Sequence, residues 1–232
     1  VTLRGRYATL EPLNAERHAA ALWQAVQGHD QLWTYLYDGP YPSQDAMRRD
    51  LELKQAGASA LFLVIVPAES GIPEGAGAFM PLKEGENARP SGPASFSAPE
   101  AAGYASFMRI EPVHGVIEVG NILLTPTLQR TAAATEAMYM MASHVFDLLG
   151  YRRYEWKCNA ENAPSRRAAL RLGFTYEGIF RQHMVIKGKN RDTAWFSMLD
   201  HEWPARKRAF EAWLDPDNFD EEGRQRKSLS QL

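Results

Sequence analysis

The sequence has a single cysteine, Cys158, so no intrachain disulfide can form and no cysteine cluster can hold zinc. It has no long apolar run: the longest, Ala60–Val66, is far too short to cross a bilayer. It has no excess of one charge. With 26 basic and 28 acidic residues the net charge is −2, so no overall field draws the chain to nucleic acid or to an anionic membrane. The stretch that starts at Val1 lacks the apolar segment of a leader peptide. These absences point to a reducing cytoplasm, with Cys158 as a buried bystander. Several chemistries lack their motifs: there is no Gly-x-Ser-x-Gly, no His-Glu-x-x-His and no Gly-Lys-Ser/Thr. His114, His144 and His183 show no ligand spacing, so no metal is expected.

Apolar residues make up 45% of the chain, enough for a sizeable core. Tyr7–Leu13 reads as a strand. Asn14 caps a helix with Ala15, Ala19, Leu22 and Val26 on one face. An aromatic loop, Trp33 to Tyr37, precedes a second helix capped by Ser43, with Met47 and Leu51 inward and Gly57 as its stop. Ala60–Val66 reads as a buried strand. Ala102–Ile110 and Val116–Leu124 form a hairpin around Glu111–Gly115. A helix from about Thr131 to Leu149 turns Ala134, Met138, Met141, Val145 and Leu148 inward. Tyr151–Lys157 is a strand, Asn162 opens the next helix, and Phe174–Ile186 with Asp192–Leu199 makes a second hairpin.

This order, β-α-α-β-β-β-α-β-α-β-β, mixes local hairpins with helical crossovers and so predicts one α/β domain with a mixed sheet. Pro67–Ala101 is rich in Gly, Pro, Ser and Ala and reads as an insertion, with a short strand at Ala76–Met80. The domain is read as residues 1–204, followed by a C-terminal helix, Ala205–Leu214, and a charged tail to residue 232.

The chemistry centres on the segment after Leu124. A strand ends in Thr125-Pro-Thr-Leu-Gln-Arg-Thr-Ala-Ala-Ala134 and runs straight into a helix. A helix N-terminus presents unpaired N–H groups and attracts anions, and small residues let a ligand approach them. The same alanines also simply favour helix.

Gln129-x-x-Ala132-x-Ala134 resembles the pyrophosphate-loop motif of the GNAT superfamily of N-acetyltransferases, with Ala132 where that family prefers Gly. Thr135-Glu-Ala137 is similar to a stretch of the bacterial ribosomal-protein serine/alanine acetyltransferases, and Asn162-Ala-Pro-Ser165 … Leu172-Gly-Phe174 resembles the GNAT superfamily's Asn-x-x-Ser … Leu-Gly-Phe block. The resemblance implies a largely antiparallel sheet of about seven strands flanked by helices on both faces. It also implies acetyl-CoA as cosubstrate and direct transfer of acetyl to a primary amine, either a protein N-terminus or a small molecule. Leu123, Leu124, Gln129, Arg130, Thr131, Ala132, Ala133, Ala134, Thr135, Asn162 and Ser165 would then hold the cofactor. Glu118 would serve as general base. Ser165 would donate to the leaving thiolate, because the Tyr used by many relatives is replaced here by Ala169. Trp33, Tyr35, Tyr37 and Asp38 would wall the acceptor side. Each has an ordinary structural alternative: a solvent-facing Glu118, a cap at Asn162 or Ser165, a core aromatic in the loop.

Two further readings stay open. Ala132 and the missing Tyr suit a non-catalytic acyl-CoA-binding sensor or interaction module. Arg152, Arg153 and the Lys187–Arg191 turn suit an RNA-associated protein, against which the net charge counts. The acceptor is not legible, and a homodimer is compatible with the sequence.

Overall fold

In the computed structural model, which describes residues 1–68 and 100–232, four helices open on a side-chain cap. Asn14 accepts from the Arg17 amide and starts α1, Ala15–Val26; Ser43 accepts from Ala46 and starts α2, Gln44–Ala56. Thr131 caps α3, Ala132–Ser143, and Asn162 caps α4, Ala163–Arg171. The fifth, α5, Trp203–Leu214, begins with Pro204 in its first turn, where a missing N–H costs nothing.

Among the described residues, eight strands form one sheet. They are β1, Leu3–Arg4; β2, Ala8–Pro12; β3, Ala60–Pro67; β4, Gly103–Glu111; β5, Val116–Leu124; β6, Arg153–Asn159; β7, Thr175–Ile186; and β8, Lys189–Leu199. Their spatial order is β1-β2-β3-β4-β5-β6-β8-β7. Every pair is antiparallel except β5 with β6, which α3 connects as a crossover. The mixed, mostly antiparallel sheet is the one expected; the extra strand is β1, two residues long and paired to Thr9 and Leu10.

Both faces are covered, unequally. On one, α3, α4 and α5 share a core with Leu10, Ile65, Phe107, Ile117, Trp156 and Phe196. Trp203, Phe210 and Trp213 of α5 lie in that core, so the helix beyond residue 204 packs with the rest of the fold. On the other face, α1 and α2 cover Phe62, Val64 and Tyr104. Each fully buried large apolar side chain stabilises the fold by about 1.5–3 kcal/mol. Across β6 and β8 this second face carries polar side chains instead: Glu155, Lys157, Thr193 and Ser197 alternate with the core residues.

Two departures from regularity matter. The helix after Thr131 ends in a π turn over His144–Leu148. The wider turn changes the phase of the inward stripe, so Val145 stays buried while Leu148, expected inside, is 70% exposed. In β5, Asn121 has a left-handed backbone (φ 48°), and Asn121 and Ile122 together oppose Ala105 alone between the Ser106–Gly120 and Tyr104–Leu123 pairs. This bulge reverses the alternation. Ile117 and Val119 face the α3 core before it, whereas Leu123 faces the α1–α2 core after it.

The insertion read over 67–101, with its short strand at Ala76–Met80, lies outside the described residues apart from its ends. There Ile65 and Gly103 are antiparallel partners.

Candidate active site

The sheet opens between its two parallel strands. Pairing of β5 with β6 stops at Val119–Trp156, while β6 continues along β8 to Asn159–Thr193. Beyond Gly120, β5 therefore leaves a strand edge unpaired next to the bulge. The opening is a cleft lined among others by Tyr35, Tyr37, Met108, Glu118, Asn121, Ile122, Trp156, Asn162, Ser165 and Arg191.

Glu118 lies at the floor of this cleft and is 4% exposed. Its Oε2 takes both neighbouring cations, Lys157 Nζ at 2.8 Å and Arg109 Nε at 2.8 Å. Among the described residues Oε1 has no such partner. A Cβ at Gly120 would sit 3.4 Å from Oε1 and collide with Met108 Sδ, so Gly120 keeps space open beside that oxygen. Burial pushes the Glu118 carboxyl above the ordinary carboxylate value, against the opposing pull of Lys157 and Arg109. Lys157 also pairs with Glu155 at 2.7 Å, and its Nζ stands 3.9 Å from the centre of the Trp195 ring. Arg153 extends the chain of charges from Glu155 to Glu177. Burial raises Glu155, but hydrogen bonds from Lys157 and Arg153 outweigh it and hold the carboxyl low.

The helix ends lie at the same end of β5 and β6. Thr131 Oγ1 accepts from the Ala134 amide and donates to the Leu128 carbonyl. The amides of Ala132 and Ala133 find no acceptor among the described residues and stay open at the positive end of the helix dipole. Ala132 is helical; the left-handed residue here is Arg130 (φ 62°). Alanine at 132 therefore strains nothing. Gln129 Nε2 donates to the Leu124 carbonyl and fixes the turn. Leu123 is a core residue, Leu124 packs at the core's edge, and Thr135 accepts from Arg171 of α4. On the cleft's other wall, Asn162 accepts from the Ser165 amide at 3.1 Å. The Ser165 side chain does not cap the helix. Its Oγ accepts from the Trp156 indole N–H at 3.0 Å, and Ser165 also acts on the Cys158 thiol, which is buried as expected.

Residues 8–175 match the model of the acetyltransferase (GNAT) domain. The chain belongs to the GNAT acetyltransferase family. A solved structure of a GCN5-related N-acetyltransferase from Brucella melitensis is 43% identical with a TM-score of 0.85, covering 99% of this chain and 92% of that one. Among curated proteins, the ribosomal-protein-serine acetyltransferase of Escherichia coli (strain K12) is 33% identical over 87 residues, 38% of this chain and 48% of that protein. The uncharacterized N-acetyltransferase YoaA of Bacillus subtilis (strain 168) is 30% identical over 100 residues, 43% of this chain and 56% of that protein. The matched stretches thus span about half the length of these curated relatives.

In this GNAT chain the loop expected to wall the acceptor side divides. Tyr35 and Tyr37 line the cleft, whereas Trp33 is 2% exposed and packs in the α1–α2 core against Tyr41. Asp38 turns its carboxylate to Lys54 and away from the cleft. The tip of the β7–β8 hairpin closes onto the same loop: Lys187 Nζ donates to the carbonyls of Trp33 at 2.7 Å and Asp38 at 2.6 Å. Arg109, Lys157, Trp156 and Arg191 were not anticipated. The signal for Lys157 is present in the sequence, since Arg153, Glu155 and Lys157 alternate with Tyr154, Trp156 and Cys158 along one strand. Among the described residues no helix is long and apolar enough to cross a membrane, and no His, Cys, Asp and Glu group could hold a metal ion.

Proposed function

We infer that this GNAT chain is an acetyl-CoA-dependent N-acetyltransferase that moves acetyl to a primary amine by direct attack within the β5–β6 cleft. The observation that carries this reading is one cleft that holds the free Oε1 of Glu118 and the Ser165 hydroxyl, with the open amides of α3 following the end of the β5 strand that lines it.

Each has a place in amide formation. The α3 N-terminus suits the pyrophosphate of CoA, and the unpaired edge of β5 suits its amide-bearing arm. An attacking ammonium must first lose a proton, and Glu118 Oε1 accepts it directly or through water. Burial raises the proton affinity of this carboxylate, which favours a base working near neutral pH. As the amine nitrogen bonds to the acetyl carbon, negative charge grows on the carbonyl oxygen; strand-edge amides near Asn121 and Ile122 are the donors within the cleft. The carbon–sulfur bond then breaks. The Ser165 oxygen accepts from Trp156, so its own hydrogen is free to turn from the Cys158 thiol to the departing thiolate. Tyr35 and Tyr37 form the acceptor wall.

The test is binding. Titration calorimetry should show acetyl-CoA binding, and saturating acetyl-CoA should raise the melting temperature by mass action. A stable sample with neither effect would sink the reading.

A further inference from the structure

Among the described residues, one cleft cation has no counter-ion. Lys157 is shared by Glu118 and Glu155, Arg109 pairs with Glu118, and Arg153 pairs with Glu155 and Glu177. Arg191 lines the same cleft and is only 6% exposed, yet no carboxylate pairs with it among the described residues. Its Nε donates to the Thr193 hydroxyl at 3.3 Å, and its guanidinium stands 5.1 Å from the centre of the Tyr37 ring. The nearby acids are committed elsewhere: Asp38 pairs with Lys54, and Asp192 accepts from the Gln182 amide and the Asn190 side chain. A guanidinium removed from water without an anion is costly, so such a group signals a missing partner.

Its position says which partner. Along β8, Ala194 and Phe196 face the core beneath α3, while Arg191 and Thr193 face the opposite side with Lys157. The pyrophosphate site at the α3 N-terminus belongs to the other face. The Tyr37 ring beside the guanidinium, with the Lys187 clamp behind that loop, places Arg191 in the acceptor wall. A planar guanidinium with N–H groups left over binds a carboxylate through two parallel hydrogen bonds.

We propose that the acceptor is an amine that also carries a carboxylate, which Arg191 holds while the amine lies toward Glu118. The inference rests on the acetyltransferase reading. It disfavours polyamines and aminoglycosides, which would bring further positive charge beside Arg191.

The experiment measures thiol release from acetyl-CoA with matched acceptors: α-amino acids, their carboxamides, dipeptide amides that begin with Asp or Glu, and spermidine. Wild type, Arg191→Gln and Arg191→Lys are compared, with melting temperature and acetyl-CoA affinity recorded for each. Wild type should favour carboxylate over carboxamide by roughly 10- to 100-fold in kcat/KM, the usual worth of a charge-assisted hydrogen bond, mainly through KM. Arg191→Gln should erase the preference, Arg191→Lys should keep part of it, and acetyl-CoA affinity should hold in both. Comparison of amino acids with the acidic dipeptide amides separates an α-carboxylate from a side-chain one. Equal use of carboxamide or spermidine, a preference that survives Arg191→Gln, or acetylation of none of the panel overturns the proposal. Absence of acetyl-CoA binding overturns the acetyltransferase reading itself.

Discussion

The indole N–H of Trp156 donates to the hydroxyl of Ser165 at 3.0 Å, linking the last β6 residue paired with β5 to the first turn of α4. The bond orients the serine oxygen and leaves its hydrogen for the cleft. Ser165→Ala should therefore lower turnover at every pH, because it removes a donor and not a titrating group. It also leaves a buried indole N–H unsatisfied, at a cost of about 1–3 kcal/mol. The cap survives, since Asn162 accepts from the residue-165 amide whatever the side chain. Rate and melting temperature measured together separate the effects: a variant that loses stability but keeps full turnover would remove Ser165 from the chemistry.

The open amides at the start of α3, proposed to hold the pyrophosphate, allow a prediction with two opposite signs. Ala132→Asp places a carboxylate where the helix dipole welcomes it, so stability should hold or rise by roughly 0.3–1 kcal/mol. The same charge repels pyrophosphate, so acetyl-CoA affinity should fall. Calorimetry beside thermal unfolding checks both, and unchanged affinity would move the phosphates away from this helix.

Asp147 ties the π turn to α5. It accepts from Trp203 Nε1 at 2.8 Å, Lys207 Nζ at 3.0 Å and Ser143 Oγ at 2.8 Å. Burial raises its carboxyl, but these three bonds outweigh it and hold it below the ordinary aspartate value. A depressed carboxyl stabilises the fold above the unfolded pKa and loses that contribution as pH falls through the folded one. Asp147→Asn should thus cost stability at neutral pH, only about 1 kcal/mol because the side chain is 36% exposed. The gap to wild type should close as pH falls below 3.8, the ordinary aspartate value. Urea unfolding across that range reads it.

Shortening the segment between Ala68 and Glu100 should leave folding and acetyl-CoA binding intact. Ile65 and Gly103 are antiparallel partners, so a short turn can join β3 to β4. Collapse of the shortened chain, seen by circular dichroism, would show that the segment supplies structure.

Much of this was legible because the signals are local. Asn14, Ser43 and Asn162 cap helices for reasons contained within four residues, and the two β-rich runs on either side of Glu111–Gly115 marked the hairpin strand that carries Glu118. What was not legible depends on contacts distant in sequence. Nothing near Trp33 reveals that the loop folds it inward, with Gly39 packed so closely on its ring that a Cβ would collide with it. Nothing near Asp38 announces Lys54, or the hairpin tip at Lys187 that takes its carbonyl. The polar alternation of β6 was visible, but a polar strand face ordinarily meets solvent. Only the fold shows that here Lys157 is buried between two glutamates, with the Trp195 ring of β8 beside it.

The most direct measurement is the pH–rate profile of amine-dependent thiol release from acetyl-CoA, compared between wild type and Glu118→Gln. Wild type should release thiol only with an acceptor present, and mass spectrometry should find the acetyl group on that amine. Glu118→Gln should be slower by roughly 10² to 10⁴ at neutral pH, the usual worth of one general base. The gap should narrow as pH rises and free amine accumulates, with acetyl-CoA affinity unchanged. Coincident profiles for the two proteins, or thiol release indifferent to the acceptor, would contradict the account.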